Sequence, residues 1–397
     1  MPNDAFREAG LSPHFSDNLT ESLKENLEKT PESLSRIPCA IVGASGYSGR
    51  ELARILLKHP RAELVCCYTT GPSASLAVQL PERSAKAVQS YPISDLATDL
   101  AQLKFKVVFL ATPVNVSIDL AAKILEFGVD VIDLSGAFRL KAGSTADITE
   151  IYESWYQLHH PAPALVQIAQ YGLVPWATAF AQQREPSARL IANPGCYATA
   201  VLLGLLPLLK NQLILLESVV IDAKSGTTGA GKKAEEHLLQ AEIAGLCLPY
   251  RIGKHQHQPE IEQFAKLYSG STIDPHFTPH LLNVRRGIIA GIYARLAPGV
   301  NQEAIARSYQ ETYGSDPLIE CASADVRPEL LNLRRVVGSA RTQISFQVED
   351  KKQQNKIYVF SLIDNLLKGA ASQAVENFNR LIQQPTHLGL TDLEGVL

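Results

Sequence analysis

The chain contains no Cys-x-x-Cys pair, and its cysteines, Cys39, Cys66, Cys67, Cys196, Cys247 and Cys321, are scattered. Zinc sites and disulfide frameworks place cysteines at short, recurring spacings, so we expect neither here. The pattern is typical of a reduced intracellular protein in which most cysteines are small core residues. We therefore predict no metal site and a cytoplasmic location.

The chain also lacks long apolar runs and an excess of basic residues. No uninterrupted apolar stretch approaches the ~18–20 residues that cross a bilayer, and the net charge is −3 at neutral pH. Neither a membrane nor a nucleic acid is an expected partner, and an anionic ligand must be held by local positive groups. Residues 1–36 mix acids with bases, unlike a signal or transit peptide, and we interpret them as a polar extension with one amphipathic helix over residues 18–29.

Strands alternate with helices in the first half of the chain. Apolar strands are predicted at residues 39–43, 62–68, 105–111 and 129–134, with helices at 47–58 and 117–127. This alternation indicates a doubly wound parallel sheet. After about residue 195 the pattern changes, with helices at 199–210, 302–313 and 361–381 and strands at 217–223, 287–294 and 343–348. The length of the chain accommodates two domains.

A glycine-rich turn follows the first strand and opens a helix. The segment comprises Gly43, Ala44, Ser45, Gly46, Tyr47, Ser48 and Gly49. Its glycines permit a tight turn, close approach of the backbone to a pyrophosphate, and close packing of helix on sheet. The start of a helix adds unpaired N–H groups that attract phosphate. We predict a dinucleotide site, the alternative being a purely structural tight turn.

The end of the second strand indicates which dinucleotide binds. NAD enzymes place an acidic residue there to bind the ribose 2′-hydroxyl. This chain has Thr69 and Thr70 instead, and hydroxyl groups tolerate a 2′-phosphate that a carboxylate would repel. NADP is therefore the favoured cofactor, although no arginine that could clamp the phosphate lies beside the two threonines.

Cys196 differs in its setting from the other cysteines. It follows Asn193, Pro194 and Gly195, which form a sharp turn between a short apolar stretch and a leucine-rich helix. A cysteine at a helix N-terminus has its thiolate stabilised by the helix dipole and the free N–H groups, which lowers its pKa. From this local setting alone, a nucleophile and a small buried core cysteine are equally good interpretations.

Two histidines, His255 and His257, precede Pro259 and Glu260 at the start of another predicted helix. A neutral imidazole close to a thiol can accept its proton and later return it. Histidines two residues apart could instead ligate a metal, but the cysteines offer no further ligands. Two solvated loop histidines are the third interpretation.

Three stretches are suited to anions. Residues 225–231 combine hydroxyls with flexible backbone N–H groups and lead into Lys232, which favours phosphate or carboxylate binding but lacks Walker A spacing. Arg139 follows one predicted strand, and Arg286 precedes another. Arginines at strand ends can clamp a carboxylate through two hydrogen bonds, although most surface arginines are simply solvated.

Together these segments resemble the N-acetyl-γ-glutamyl-phosphate reductase family of the aspartate-semialdehyde dehydrogenase superfamily. The matching stretches, spread over residues 38–377, are GASGYSGREL, DLSGAFRL, YGLVPW, ANPGCYAT, DAKSGTTGAGKK, HQHQPEIEQ, FTPHLLNVRRGI and DNLLKGAASQA. The cysteine motif combined with the histidine–proline–glutamate segment is the most specific part of the resemblance. The chain departs from the family at Val114, where a histidine is usual, and at Thr70, where an arginine is common.

The resemblance implies a reductase that acts through a thioester. Cys196 would attack an acyl phosphate and expel phosphate, and NADPH would reduce the thioester to a semialdehyde. His257 is the first choice for the acid/base and His255 the second. The implied cofactor contacts add Ser225, Gly226 and Asn365 to the glycine turn, with Asn365 at the nicotinamide end. The implied substrate contacts are Ser135, Arg139, Asn193, Thr228, Gly229, Glu260 and Arg286.

The resemblance also implies a domain plan. Residues 37–195 and 359–397 would form a Rossmann-like NADP-binding domain, and residues 196–358 an α/β domain with a mixed sheet for catalysis and dimerisation. The C-terminal helix would pack back on the nucleotide domain, and the protein would be a homodimer or homotetramer. Two alternatives remain, namely a reductase for aspartyl or aminoadipyl phosphate, and an NADP-binding regulatory protein without catalysis.

Overall fold

The computed structural model describes residues 35–69, 80, 83–177, 188–232, 240–349 and 355–392 of the 397-residue chain. Within this part the chain forms two seven-stranded sheets with helices packed on them. The fold prediction, a doubly wound sheet plus an α/β unit with a mixed sheet, is confirmed. Thr70 and the helix expected at residues 18–29 lie outside the described residues.

The first sheet is parallel throughout. Its strands are Ile37–Val42 (β1), Ala62–Thr69 (β2), Gln89–Pro92 (β3), Val107–Leu110 (β4), Asp130–Asp133 (β5), Gln170–Tyr171 (β6) and Leu190–Ala192 (β7). The spatial order is β3-β2-β1-β4-β5-β7-β6. In such a sheet, ligands bind beyond the carboxyl ends of the strands, near the point where the order reverses. Here that point lies between β1 and β4.

Helices cover this sheet, which explains why the strands at its centre are apolar. They are Tyr47–Lys58 (α1), Leu96–Gln102 (α2), Val114–Glu126 (α3), Thr145–Tyr156 (α4) and Pro163–Ile168 (α5). Successive residues of a strand face opposite sides, so Ile41 belongs to one hydrophobic cluster and Val42 to another. Helix α4 begins at a capping box formed by Ser144 and Asp147.

The second sheet is mixed. Its strands are Val220–Gly226 (β8), Cys247–Pro249 (β9), His276–Leu282 (β10), Ile288–Arg295 (β11), Ile319–Ser323 (β12), Thr342–Glu349 (β13) and Lys356–Ile363 (β14). They lie in the order β12-β13-β14-β11-β8-β10-β9, with antiparallel pairing at the centre between β14, β11 and β8.

The helices that accompany this sheet are Cys196–Lys210 (α6), Gln240–Ile243 (α7), His257–Ser269 (α8) and Gln302–Tyr313 (α9). The C-terminal helix Ser372–Leu381 (α10) instead packs on the first sheet, where it contacts α1 and β5. Every residue of α6 from Tyr197 to Leu209 is buried. A helix that is apolar on all sides belongs in a core, and α6 contacts α8, β11 and β14. This central position places Cys196, its first residue, at the junction of the two sheets.

The long helix predicted over residues 361–381 is wrong in its first half. Residues up to Ile363 continue β14, a π-helical turn follows at Leu367–Ala371, and α10 begins only at Ser372. The short apolar run in β14 does not distinguish strand from helix by its periodicity. The domain boundary predicted at residue 359 consequently falls inside β14. No helix among the described residues is long and apolar enough to span a membrane.

Candidate active site

Cys196 lies at the bottom of a cleft of about 880 Å³. It is the first residue of α6 and follows β7 through the turn Asn193–Gly195, as the sequence predicted. The π-helical turn packs directly on it, because a Cβ atom on Gly369 would lie 2.7 Å from the Cys196 Cβ. The nucleophile candidate is therefore held between the start of α6 and a turn that leads into α10.

Glu260 holds the turn in front of Cys196. Its side chain is fully buried, and its Oε1 accepts hydrogen bonds from the Gly195 N–H and the Tyr171 hydroxyl, both at 2.7 Å. Its Oε2 lies 3.6 Å from Arg139 Nη1. A buried carboxylate requires such partners. Glu260 is absent from the cleft wall, so the structure gives it a supporting position, where the sequence predicted a substrate contact.

Arg139 lines the cleft, but most of its donors already have partners. Its Nε donates to the Asn193 carbonyl at 2.8 Å, and its Nη2 donates to the Leu134 carbonyl at 2.9 Å. Burial opposes its charge, but Glu260 and other neighbours outweigh that effect and raise the pKa of Arg139. The strands β5 and β7 are neighbours in the sheet. The guanidinium thus bridges the loop after β5 and the nucleophile turn, residues 193–195, after β7.

His257 begins α8 and lies against the nucleophile turn. A Cβ atom on Gly195 would be 2.3 Å from the His257 Nε2, so only glycine permits this approach. Arg139 Nη1 donates to the same nitrogen at 3.5 Å. Because arginine can only donate, Nε2 acts as the acceptor and the proton of the neutral ring is assigned to Nδ1. Nδ1 has no hydrogen-bond partner among the described residues.

His255 supports His257 and also lines the cleft. Its Nδ1 accepts the His257 backbone N–H at 3.1 Å, and its Nε2 lies 3.3 Å from the Tyr250 hydroxyl. Burial, reinforced by Arg251, lowers the pKa of His255 to about 3. Burial, together with His255, Arg139 and Arg251, lowers the pKa of His257 well below its ordinary value. Both rings are therefore neutral near pH 7. The acceptor nitrogen of His255 is already used by the His257 N–H, which leaves His257 Nε2 as the better placed proton acceptor.

The pKa of Cys196 differs from the expectation. Burial raises the pKa of its thiol to about 11, with a smaller contribution from Glu260, although Arg139 and the N–H groups of Tyr197 and Cys196 act to lower it. The helix start is present, as predicted, but the lowered pKa is wrong for the free cleft because loss of hydration outweighs the helix start. A base is therefore needed to generate the thiolate.

The glycine turn forms the other wall of the cleft. Gly43 has φ +93°, and a Cβ atom there would lie 2.4 Å from the Ala111 carbonyl oxygen. Gly46 is the N-cap of α1, with no side-chain cap, and residues 46–49 line the cleft. Open backbone N–H groups at a helix start, with no side chain in front of them, fit the diphosphate of a dinucleotide. Gly43, Ser45 and Thr69 lie outside the cleft wall.

The loop at residues 225–231 faces the glycine turn across the cleft. Ser225, Gly226, Thr228 and Gly229 line it, as does Asn365. The Asn365 amide donates to the Thr228 hydroxyl at 3.0 Å and accepts the Gly287 N–H at 2.8 Å. The predicted loop and Asn365 are therefore brought together, each holding the other in place.

Three other predicted substrate contacts have different partners. The Asn193 side chain donates to the Ala370 carbonyl and accepts from Asn377, both at 3.1 Å. The Ser135 hydroxyl donates to Asp133 at 2.8 Å. Arg286 forms ion pairs with Glu51 and Asp364 at 2.9 Å. None of them lines the cleft, and their polar atoms are already used by other residues.

Sequence reasoning did not assign Tyr250, Arg251, Gln256 and Gly369, all of which line the cleft. The first three flank the histidines in the chain, and that proximity was the available signal. Gly369 lies far from Cys196 in sequence and gave no signal of its own. Among the described residues, no group of three or more His, Cys, Asp or Glu side chains could hold a metal ion.

Comparison with known proteins identifies the class. Residues 38–180 match the family model "Semialdehyde dehydrogenase, NAD binding domain", and residues 196–365 match "Semialdehyde dehydrogenase, dimerisation domain". The fold is similar to that of aspartate semialdehyde dehydrogenase II from Vibrio cholerae, with a TM-score of 0.64 and 17% identity over 88% of this chain and 99% of that one. The enzyme from Candida albicans, crystallised with NADP, gives a TM-score of 0.57 and 15% identity over 88% and 99%. Fold and site thus define a semialdehyde-dehydrogenase-type oxidoreductase that binds a nicotinamide cofactor.

Closer relatives narrow the class to one family. The N-acetyl-gamma-glutamyl-phosphate reductase of Brevibacillus brevis is 38% identical over 352 residues, which cover 88% of this chain and 96% of the relative. The enzyme of the same name from Nitrosomonas eutropha is 39% identical over 355 residues, covering 89% and 98%. The chain belongs to the N-acetyl-gamma-glutamyl-phosphate reductase family, which confirms the resemblance inferred from the motifs.

Proposed function

We propose that the protein reduces N-acetyl-γ-glutamyl phosphate to N-acetylglutamate semialdehyde and phosphate, with NADPH, as a step of arginine biosynthesis. The observation that carries the proposal is that Cys196, at the start of α6, lines the same cleft as a neutral His257, which packs on the preceding residue Gly195. The glycine helix start on the opposite wall of the same cleft supports it. Family membership supports the same reaction.

The neutral imidazole of His257 accepts the Cys196 proton, and the sulfur attacks the acyl carbon. The Sγ–C bond forms, the C–O bond to phosphate breaks, and phosphate leaves. When bound, NADPH supplies the hydride that reduces the thioester. His257 then gives its proton to the resulting oxyanion. To release the aldehyde, the same ring takes back the hydroxyl proton while the C–S bond breaks.

The charges of the cleft favour an N-acylated substrate. No aspartate or glutamate is found among the described residues that line it, whereas Arg139, Lys232 and Arg251 do line it. The free ammonium group of aspartyl phosphate would face these cations without a counter-ion. An N-acetyl group removes that charge and leaves a carboxylate and a phosphate, which the cations attract. This contrast argues against the aspartyl phosphate alternative.

NADP is proposed over NAD because β2 ends at Thr69 without a carboxylate. Gly46, Tyr47, Ser48 and Gly49 would hold the diphosphate, and Asn365 would lie at the nicotinamide end. We further propose a homodimer or homotetramer in the cytoplasm, with the domain division given above. Among the described residues, Tyr293, Tyr358 and Phe360 lie half-buried on one face of the mixed sheet and outside the hydrophobic core, which suits contact with a second copy.

The substrate assay runs the reaction in reverse. N-acetylglutamate semialdehyde with phosphate or arsenate and NADP should raise the absorbance of NADPH, and kcat/KM should exceed that for aspartate semialdehyde by roughly 10²-fold, given several kcal/mol for an unpaired like charge. The panel includes aminoadipate semialdehyde derivatives and NAD. A preference for aspartate semialdehyde would refute the substrate, and NADP binding without any turnover would favour the regulatory alternative.

Variants test the roles of Cys196, His257 and His255. Cys196→Ala should abolish turnover and leave NADP binding intact. His257→Asn should lower kcat about 10²–10⁴-fold, the usual range for a lost acid/base. His255→Asn should cost less, because His255 acts through the position of His257. A near-normal rate in His257→Asn would transfer the proton role to His255.

A further inference from the structure

Arg286 is held at one point of contact between the two sheet units. Its Nη1 donates to Glu51 Oε1 at 2.9 Å, and its Nη2 and Nε lie 3.0 and 2.9 Å from the two carboxylate oxygens of Asp364. The side chains of Arg286 and Glu51 are largely buried, and that of Asp364 is completely buried. The planar guanidinium donates one hydrogen bond to each of the two carboxylates, and this two-point geometry is one that a lysine cannot reproduce.

The two carboxylates belong to opposite walls of the cleft. Glu51 lies in the first turn and a half of α1, two residues after Gly49, the last of the residues 46–49 that line the cleft. Asp364 accepts the N–H groups of Leu366 and Leu367, and its carbonyl accepts the Gly369 N–H. Asp364 thus starts the π-helical turn whose Gly369 packs on Cys196.

The backbone around Arg286 fixes a third part of the cleft. A Cβ atom on Gly226 would lie 2.7 Å from the Arg286 nitrogen, and the Thr228 hydroxyl donates to the Arg285 carbonyl at 2.6 Å. Gly226 N–H donates to the Gly287 carbonyl at 2.9 Å. Three parts of the cleft therefore meet at Arg286. They are the start of α1, the π-helical turn beside Cys196 and the loop at residues 225–231.

We propose that Arg286 is a positioning residue that fixes the dinucleotide-binding start of α1 relative to Cys196. It touches neither substrate nor cofactor in this role. Through Glu51 and Asp364 it sets the distance and angle between residues 46–49 at the start of α1 and the π-helical turn that packs on Cys196. The inference rests on the proposed function, since it takes NADP as the molecule bound at the start of α1.

The test compares Arg286→Lys with the matched control Arg285→Lys, the same substitution at the exposed neighbouring arginine. Arg286→Lys keeps the charge but loses the two-point geometry. The dissociation constant of NADP, measured by calorimetry, should rise about tenfold, within the usual range of couplings between sites. Cofactor-free acylation of Cys196 by p-nitrophenyl acetate, which releases p-nitrophenolate, should keep its rate, because the thiol and its base are not displaced. The control should match wild type in both measurements.

A double-mutant cycle tests whether Glu51 and Arg286 act as a unit. Glu51→Gln alone should weaken NADP binding, and the effect in the double variant Glu51→Gln/Arg286→Lys should be clearly less than additive. NADP affinity in Arg286→Lys equal to that of the control would overturn the inference. An equal loss of NADP binding and of acylation would also overturn it, because that result describes general loosening of the fold.

The two proposals fail in distinguishable ways. If wild type binds NADP but does not reduce it with any semialdehyde of the panel, the proposed function fails and the affinity test of Arg286 can still be performed. If wild type turns over normally and Arg286→Lys binds NADP as the control does, the reaction stands and the positioning role is rejected.

Discussion

At the scale of single residues, the site depends on groups that hold other groups in place. Glu260 fixes the Gly195 N–H, Arg139 joins two loops, and His255 orients His257. Each of these side chains is at least nine-tenths buried. Because the site is buried, ionised groups in it lose hydration. This loss explains why the two imidazoles are neutral and why the Cys196 thiol keeps its proton.

The pH dependence of Cys196 reactivity follows from its pKa of about 11. Only the thiolate reacts with iodoacetamide, so the alkylation rate of the free protein should rise about tenfold per pH unit from neutral pH towards pH 10. The rate is measured by mass spectrometry of the peptide that contains Cys196.

The Cys196→Ala variant provides the background signal of the same peptide without its thiol. A rate that is already at its plateau at neutral pH would show that the thiolate forms without a base, which contradicts the burial argument.

At the scale of elements, the C-terminal helix α10 is hydrogen-bonded to the turn at residues 193–195 that precedes Cys196. Asn377 of α10 donates to the Gly172 carbonyl and to Asn193, at 2.8 and 3.1 Å. Lys368 of the π-helical turn donates to both oxygens of Glu376 at 2.9 and 2.6 Å, and both side chains are almost completely excluded from solvent. This ion pair joins the turn that touches Cys196 to the body of α10.

Removal of only one charge of the Lys368–Glu376 pair should lower the free energy of unfolding. Glu376→Leu leaves a buried ammonium group without its counter-ion, with only the Val174 carbonyl as acceptor, and the free energy of unfolding should fall by about 3–5 kcal/mol. The double variant Lys368→Met/Glu376→Leu replaces both charges with apolar groups and should lose much less. Urea denaturation followed by circular dichroism measures both.

The double variant is itself the control for the change in packing. If the single and double variants lost the same stability, the cost would come from altered packing, and an unpaired charge would not be its cause.

At the scale of the whole molecule, one face of the mixed sheet packs on α6 and the other carries half-buried aromatic residues. Ile292 and Val359 belong to the hydrophobic core under α6, whereas Tyr293, Tyr358 and Phe360 point to the opposite side. Stable interfaces between protein copies bury apolar and aromatic side chains. This face is the natural contact for the proposed oligomer.

Sedimentation analysis should therefore give two or four times the chain mass of 43.3 kDa. Phe360→Asp places a charge on the proposed contact face and should shift the mass to that of one chain, with the far-ultraviolet circular dichroism unchanged. As a control, Phe127→Asp changes an exposed phenylalanine in the first sheet unit and should leave the mass unchanged. A wild-type monomer would contradict the proposed assembly.

The local elements of the site were predictable because their signals are local. A strand followed by glycines and a helix specifies the dinucleotide turn. Pro194 and Gly195 ahead of a leucine-rich run indicate a helix shortly after them, predicted at 199–210 and found at 196–210. The helices at 47–58 and 302–313 were predicted with the bounds that the structure has. The strand at 356–363 was missed because a short apolar run has no periodicity that separates strand from helix.

The sequence alone therefore determined the fold class, through the alternation of strands and helices. It also determined the family and the nucleophile candidate, through several short motifs taken together. Only the tertiary structure decided which side chains support which, because those contacts span large separations in the chain. Glu51 meets Arg286 across 235 residues, and Glu260 reaches Gly195 across 65. The same holds for the pKa of Cys196, since desolvation depends on what packs around a group and outweighs the helix start that the sequence reveals.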